Sequence, residues 1–264
     1  MERRNFIRLV GILAATCMLF VITSCENQTS APAIKKEIYE WRIYTLTGED
    51  GTALDNYFKD IMIPAYSRQG IKAGAFRPLA LREEEQDTRH ILFIYPDINT
   101  YFRIKDAIWE DEVFTNAAQP FFDATAPRGS IAFSNYETYL SEAFSQFPAH
   151  RVAEGSQTVF QCRIYWSGNE EANKRKVKMF QEGEIAIFDE SGINSVFYGE
   201  IFAGPRMPAI MYLTSYKDEE SMTEVWGNFR ANPGFRPLSQ DPQYANTAIN
   251  NRTMILSPMP YSQL

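Results

Sequence analysis

Two arginines hold matching places in two similar stretches, Tyr39-Glu40-Trp41-Arg42-Ile43-Tyr44 and Phe160-Gln161-Cys162-Arg163-Ile164-Tyr165. A guanidinium inside a sheet needs a partner, because an unpaired charge in low dielectric is costly. Glu40 and Glu200 are the internal candidates; an acidic ligand is the external one. Tyr44, Tyr165, Tyr198 and Tyr212 add aromatic surface with a polar tip, and Arg206 stands in a turn just past Glu200. Glu184 shares a helical stripe with Val177, Phe180, Ile187 and Phe188, where an apolar residue is expected. It either holds Arg206 or keeps its head in solvent at a rim.

Three chemistries fit these residues. Arg–Glu pairs can be purely structural. Alternatively Arg42, Tyr44, Arg163, Tyr165, Glu184, Tyr198, Glu200, Arg206 and Tyr212 bind a small acidic or carbohydrate-like molecule. The third option is acid–base catalysis by Glu200 or Tyr198. An interaction module with a filled core is the alternative that needs no ligand.

Other chemistry is poorly supplied. The chain has two histidines, His90 beside a strand start and His150 in a connection, and His90 reads as solvated. There is no H-E-x-x-H, G-x-S-x-G, P-loop or dinucleotide fingerprint, so neither a metal nor a cofactor is expected. A net charge of −7 argues against nucleic acid, which needs clustered Lys and Arg. The longest basic cluster, Lys174–Lys178, reads as a solvated helix face. Trp226, Phe229, Arg230 and Phe235 read as packing and snorkelling.

The elements that position these groups repeat. Gly70-Ile71 matches Gly192-Ile193, as the two Arg-Ile-Tyr runs match each other. The first copy reads as strands at Tyr39–Thr45, Ala73–Leu79, His90–Tyr95 and Ile131–Tyr139, with helices at Ala53–Arg68 and Ile98–Ile108. The second reads as strands at Thr158–Trp166, Asn194–Phe202, Ala209–Tyr216 and Thr253–Pro258, with helices at Glu170–Ser191 and Asp218–Arg230. Both follow the ferredoxin-like β-α-β-β-α-β order. The expected division is a leader at 1–25, a tether at 26–37, one unit at 38–140, a linker at 141–157 and a second unit at 158–264.

One such unit leaves a sheet face bare, and two can bury those faces against each other as an α+β barrel. Alternation then puts Phe160, Cys162 and Ile164 toward the helices and Gln161, Arg163 and Tyr165 toward the barrel interior. Tyr39, Trp41 and Ile43 are assigned likewise to the helix side, and Glu40, Arg42 and Tyr44 to the interior. The ligand is therefore expected between the repeats.

The N-terminus carries Arg3, Arg4 and Arg8, an apolar run at Leu9–Ile22, and Ile22-Thr23-Ser24-Cys25. This resembles the lipobox of bacterial lipoproteins, which implies cleavage and acylation at Cys25 and anchoring to a membrane of the cell envelope. Glu26 after the cysteine points to the outer membrane. With Cys17 removed and Cys25 acylated, Cys162 is left without a disulfide partner. Self-association is left open.

The runs Met179-Phe180-Gln181-Glu182-Gly183-Glu184-Ile185, Gly192-Ile193-Asn194-Ser195-Val196-Phe197-Tyr198-Gly199-Glu200 and Ala203-Gly204-Pro205-Arg206-Met207-Pro208 closely resemble the NIPSNAP family. Tyr39–Tyr44 looks like the family's usual start. The resemblance is sharper in the second copy, since the first lacks the Gly-Pro-Arg-Met-Pro turn. It implies a dimeric-α/β-barrel fold, the superfamily that also houses monooxygenases and isomerases without a fixed cofactor. It implies no activity and no catalytic residues.

Overall fold

The computed structural model describes residues 34–47, 51–81, 86–126, 132–152 and 154–264. The expected leader, the expected lipidation site Cys25 and most of the expected tether lie outside the described residues. Among those described, no helix is long and apolar enough to cross a membrane.

The first copy contributes β1 (Ile38–Thr45), α1 (Thr52–Tyr57), α2 (Ile63–Arg68), β2 (Lys72–Pro78), β3 (Thr88–Tyr95), α3 (Ile98–Ala107), α4 (Glu112–Thr125) and β4 (Asn135–Ala143). The second contributes β5 (Val159–Trp166), α5 (Glu170–Met179), α6 (Ile185–Glu190), β6 (Asn194–Ala203), β7 (Ala209–Tyr216), α7 (Glu219–Ala231), α8 (Phe235–Gln240) and β8 (Asn250–Pro258). The first helix of each copy is broken by a π-turn, Phe58–Met62 in one and Phe180–Glu184 in the other. Both of these helices lead into a glycine with positive φ, Gly70 and Gly192, where the absent Cβ removes the left-handed penalty. Two irregularities at matching places mark the copies as a duplication.

Each copy orders its strands as the ferredoxin-like unit does, and the edges meet. The sheet closes as β1-β3-β2-β8-β5-β7-β6-β4, with β4 returning to β1. The joints between copies are β2–β8 and β4–β6, both antiparallel. Closure removes every open edge that a single unit would present.

The side-chain facing reverses the sequence expectation. Tyr39, Trp41 and Ile43 of β1, Phe160, Cys162 and Ile164 of β5, and Ala209, Met211 and Leu213 of β7 meet in one buried cluster without a helical member. That cluster is the barrel interior. Rings from both copies interlock there: Trp41 stacks on Phe76 at 5.6 Å, Phe76 meets Phe160 at 4.9 Å, and Tyr39 meets Phe197 at 4.3 Å. Glu40, Arg42, Tyr44, Gln161, Arg163 and Tyr165 point outward, beneath the helices. The physical reason is that an eight-stranded barrel is just wide enough for side chains to fill, and a filled interior offers a charge neither water nor room. Helices laid across the outer face leave gaps at their ends where polar groups reach one another or solvent. The expected pocket between the repeats is therefore occupied by core.

His90 also departs from expectation. It lies on the interior row of β3, 2% exposed, with Nε2 against Thr88 Oγ1 at 2.9 Å. Burial first, then Arg252 and Arg89, push it down to about 3, so the ring is neutral. Cys162 is buried, with a free thiol.

Candidate functional site

Beneath the helices of the second copy lies a cavity of about 540 Å³, bounded by β5, β7, the α5–α6 helix, α7, α8 and the loop through Tyr244–Ala248. Its strand-borne residues are Arg163, Tyr165 and Tyr212, and Glu184 comes from the π-turn. A π-turn adds a residue to one helical turn and so re-aims its side chains. Here it delivers a carboxylate against the sheet at the position where the first copy has Met62.

Glu184 does not hold Arg206. Its Oε2 lies 3.3 Å from the Lys176 ammonium, and both groups are buried. Lys176 also sits over the rings of Phe180 at 4.8 Å and Tyr165 at 5.2 Å, so the reading of this lysine as solvated fails. Positions 176, 180 and 184 are spaced four apart, and that spacing is the signal in the sequence by which Lys176 is found. The wall is completed by Trp226, Phe229 and Phe235, with Arg230 at the mouth; these do more than pack.

Arg163 is central. Its guanidinium lies 5.2 Å from the Trp226 ring and 5.3 Å from that of Tyr165, while its buried Nε has no hydrogen-bond partner. Burial works against its charge, and Tyr212, Tyr165 and Glu184 more than offset that, so it stays a cation. Burial also pushes the Tyr165 and Tyr212 hydroxyls up, with Arg163 opposing; both remain neutral donors. Among the described residues, the cavity thus presents three cations, Arg163, Lys176 and Arg230, against one carboxylate.

The remaining expected residues are dispersed. Arg42 is closed off in the first copy: its Nε donates to Glu40 Oε1 at 2.7 Å, Tyr95 donates to Glu40 Oε2 at 2.7 Å, and Phe93 lies under the guanidinium at 5.0 Å. Tyr44 is packed among Phe58, Phe133 and Tyr136. Tyr198 is fully buried, bonded to Ser195 Oγ at 2.6 Å, and surrounded by Phe144, Phe147, Phe180 and Phe188. Glu200 accepts from Asn173 Nδ2 at 2.8 Å in a separate seam cavity with Ile38, Ile98 and Phe202. Arg206 is exposed over Trp166 at 5.2 Å. Of the nine expected ligand contacts, Arg163, Tyr165, Glu184 and Tyr212 come together. The others do not join them.

Residues 160–263, which run from the second residue of β5 past the end of β8 and include every wall of this cavity, match the NIPSNAP family model. The second copy is a NIPSNAP domain. Solved structures similar to this chain include a candidate monooxygenase from Fusobacterium nucleatum, 14% identical, covering 85% of this chain and 93% of its own, with a TM-score of 0.55. A second candidate monooxygenase, from Lactobacillus acidophilus, is 9% identical over 85% of this chain and 94% of its own, with a TM-score of 0.55. A NIPSNAP-like domain protein from Burkholderia xenovorans is 21% identical over 42% of this chain and 92% of its own, with a TM-score of 0.37. At these identities the first two likenesses show the dimeric-α/β-barrel fold alone. No curated protein matches the chain.

Proposed function

We propose that this protein binds a small organic acid with a ring-shaped body, in the helix-covered cavity of its second copy rather than between its repeats. The observation that carries this reading is the buried, unpartnered Nε of Arg163 in a cavity with excess positive charge and aromatic walls. Cavities of this size with a few convergent polar groups suit a small molecule, and a carboxylate is the natural partner of a guanidinium fork. Indole and phenol faces of Trp226, Tyr165 and Tyr212 suit a flat ring.

Catalysis by Glu200 and Tyr198 gains nothing from the geometry, because the two side chains serve different surroundings. The anchoring at Cys25 in a bacterial envelope rests on the Ile22-Thr23-Ser24-Cys25 pattern. Metabolic labelling with an alkyne fatty acid, abolished by Cys25→Ser, checks it.

The binding test is a calorimetric titration of the full chain with ring-bearing carboxylates and their neutral amides. Acids are expected to bind at least tenfold tighter than amides, and Arg163→Gln is expected to erase the difference. Equal binding of acid and amide overturns the reading.

A further inference from the structure

We propose that the ligand's acid group sits beside Gln161 and takes toward Arg163 the role that the Glu40 carboxylate takes toward Arg42 in the first copy. This deepens the reading above and rests on it. The two copies are in register: Glu40 and Arg42 face Phe93 and Ile91 across the β1–β3 ladder, and Gln161 and Arg163 face Thr214 and Tyr212 across β5–β7. In the first copy the strand carries its own anion. Glu40 takes Arg42 Nε on one oxygen and the Tyr95 hydroxyl on the other, each at 2.7 Å.

In the second copy the same positions are open. Gln161, 7% exposed, leaves its Oε1 without a partner, and Arg163 leaves its Nε without one. Tyr216, on the register of Tyr95, is committed elsewhere, accepting from Trp226 Nε1 at 2.8 Å and bonded to Thr214 Oγ1 at 2.8 Å. Beside these groups is a cleft of about 310 Å³ lined by Gln161, Arg163, Thr223, Trp226, Arg230 and Thr253, with Met222. Among the described residues, its lining contains two cations, two hydroxyls and an amide, and no carboxylate. It shares Arg163, Trp226 and Arg230 with the aromatic cavity, so a molecule seated in the cavity presents its head to the cleft across Arg163.

Replacing Glu by Gln keeps the shape of the side chain, removes its charge and adds an amide donor. An internal anion at this position would compete with any acid for Arg163. The first copy has that competitor and is sealed; the second lacks it. Position 161 is thereby the residue that decides whether this fold binds an acid: a carboxylate or sulfonate on a ring.

The test is Gln161→Glu in the full chain, with 1-naphthoate as probe and 1-naphthamide as the neutral control. The introduced carboxylate is expected to satisfy Arg163 from within. Naphthoate binding should fall at least tenfold, naphthamide binding should be unchanged, and the thermal midpoint should rise by a few degrees. Naphthoate binding unchanged in Gln161→Glu but lost in Arg163→Gln rejects the placement of the acid group and leaves the cavity reading standing. A midpoint that does not rise rejects the equivalence of positions 40 and 161, whatever binds. A wild-type chain that ignores naphthoate while Gln161→Glu is stabilised counts against the cavity reading itself, and the placement falls with it.

Discussion

Glu184 Oε2 lies 3.3 Å from the Lys176 ammonium, with both side chains buried against the cavity's aromatic wall. Two desolvated charges that satisfy each other add little net stability, but removing one strands the other. Lys176→Met is therefore expected to cost about 3–5 kcal/mol, and Lys176→Met with Glu184→Leu to recover most of that loss. Urea unfolding of the three proteins measures it; a single variant no weaker than the double one rejects a mutual dependence. Glu184→Gln removes the carboxylate from the cavity, so that variant should bind ring-bearing acids several-fold tighter.

The two strand arginines should respond oppositely to mutation. Arg42 holds Glu40 in a closed network, so Glu40→Gln leaves a buried guanidinium without its anion, at a cost of roughly 3 kcal/mol. Acid binding in the second copy should be untouched. Arg163 has no paired carboxylate and leaves its Nε without a partner, so Arg163→Met, which gives up ring contacts with Trp226 and Tyr165, should cost less stability than Glu40→Gln. Acid binding should disappear. Unfolding and titration of both variants check the pair, and a large stability loss in Arg163→Met would make that arginine structural.

These contrasts show what was legible in the sequence. The repeated Arg-Ile-Tyr runs and the two Gly-Ile pairs gave away the duplication, and β7 falls at Ala209–Tyr216 as expected. Helices α4 and α8 went unread, because Pro120 inside one and Pro237 inside the other look like breaks. Facing was not readable. Both sheet faces are buried, so the alternation on β1 and β5 separates two rows without saying which one the barrel encloses. The grouping of Arg163, Tyr165 and Tyr212 survived that reversal, because residues sharing a face stay together whichever way the face turns. Lys176 was hidden by its neighbours: Lys174 and Lys178 are exposed, and only helical phase separates them from it.

The seam between the copies makes a steric prediction. Gly199 on β6 pairs with Ala143 of β4, and an added Cβ there would lie 2.6 Å from Ser141 Oγ and 2.8 Å from Ser141 Cβ. Gly199→Ala is expected to cost about 1–3 kcal/mol through overpacking. Ser141→Gly in the same chain removes both clashing atoms and should recover part of the loss, a non-additivity expected of residues in contact. Thermal unfolding of the single and double variants measures the coupling, and strict additivity rejects the contact.

His90 sets the pH response of the barrel. Its pKa in the fold is depressed to about 3 by burial and by Arg252 and Arg89, whereas an unfolded chain offers an ordinary histidine near 6.5. The unfolded state therefore binds a proton that the folded state refuses at every pH between those values. The contribution is complete above about pH 6.5 and is lost as pH falls toward 3, at about 1.4 kcal/mol per unit. Carboxylates held low in the fold, such as Asp97 at about 2 beside the Thr100 backbone amide and Lys35, add their own loss only at lower pH. Between pH 7.5 and pH 5 the unfolding free energy should thus drop by about 2 kcal/mol in the wild type. His90→Gln, which keeps a polar tip toward Thr88 but cannot titrate, should flatten most of that drop. An equal drop in both proteins would assign the acid sensitivity to other groups.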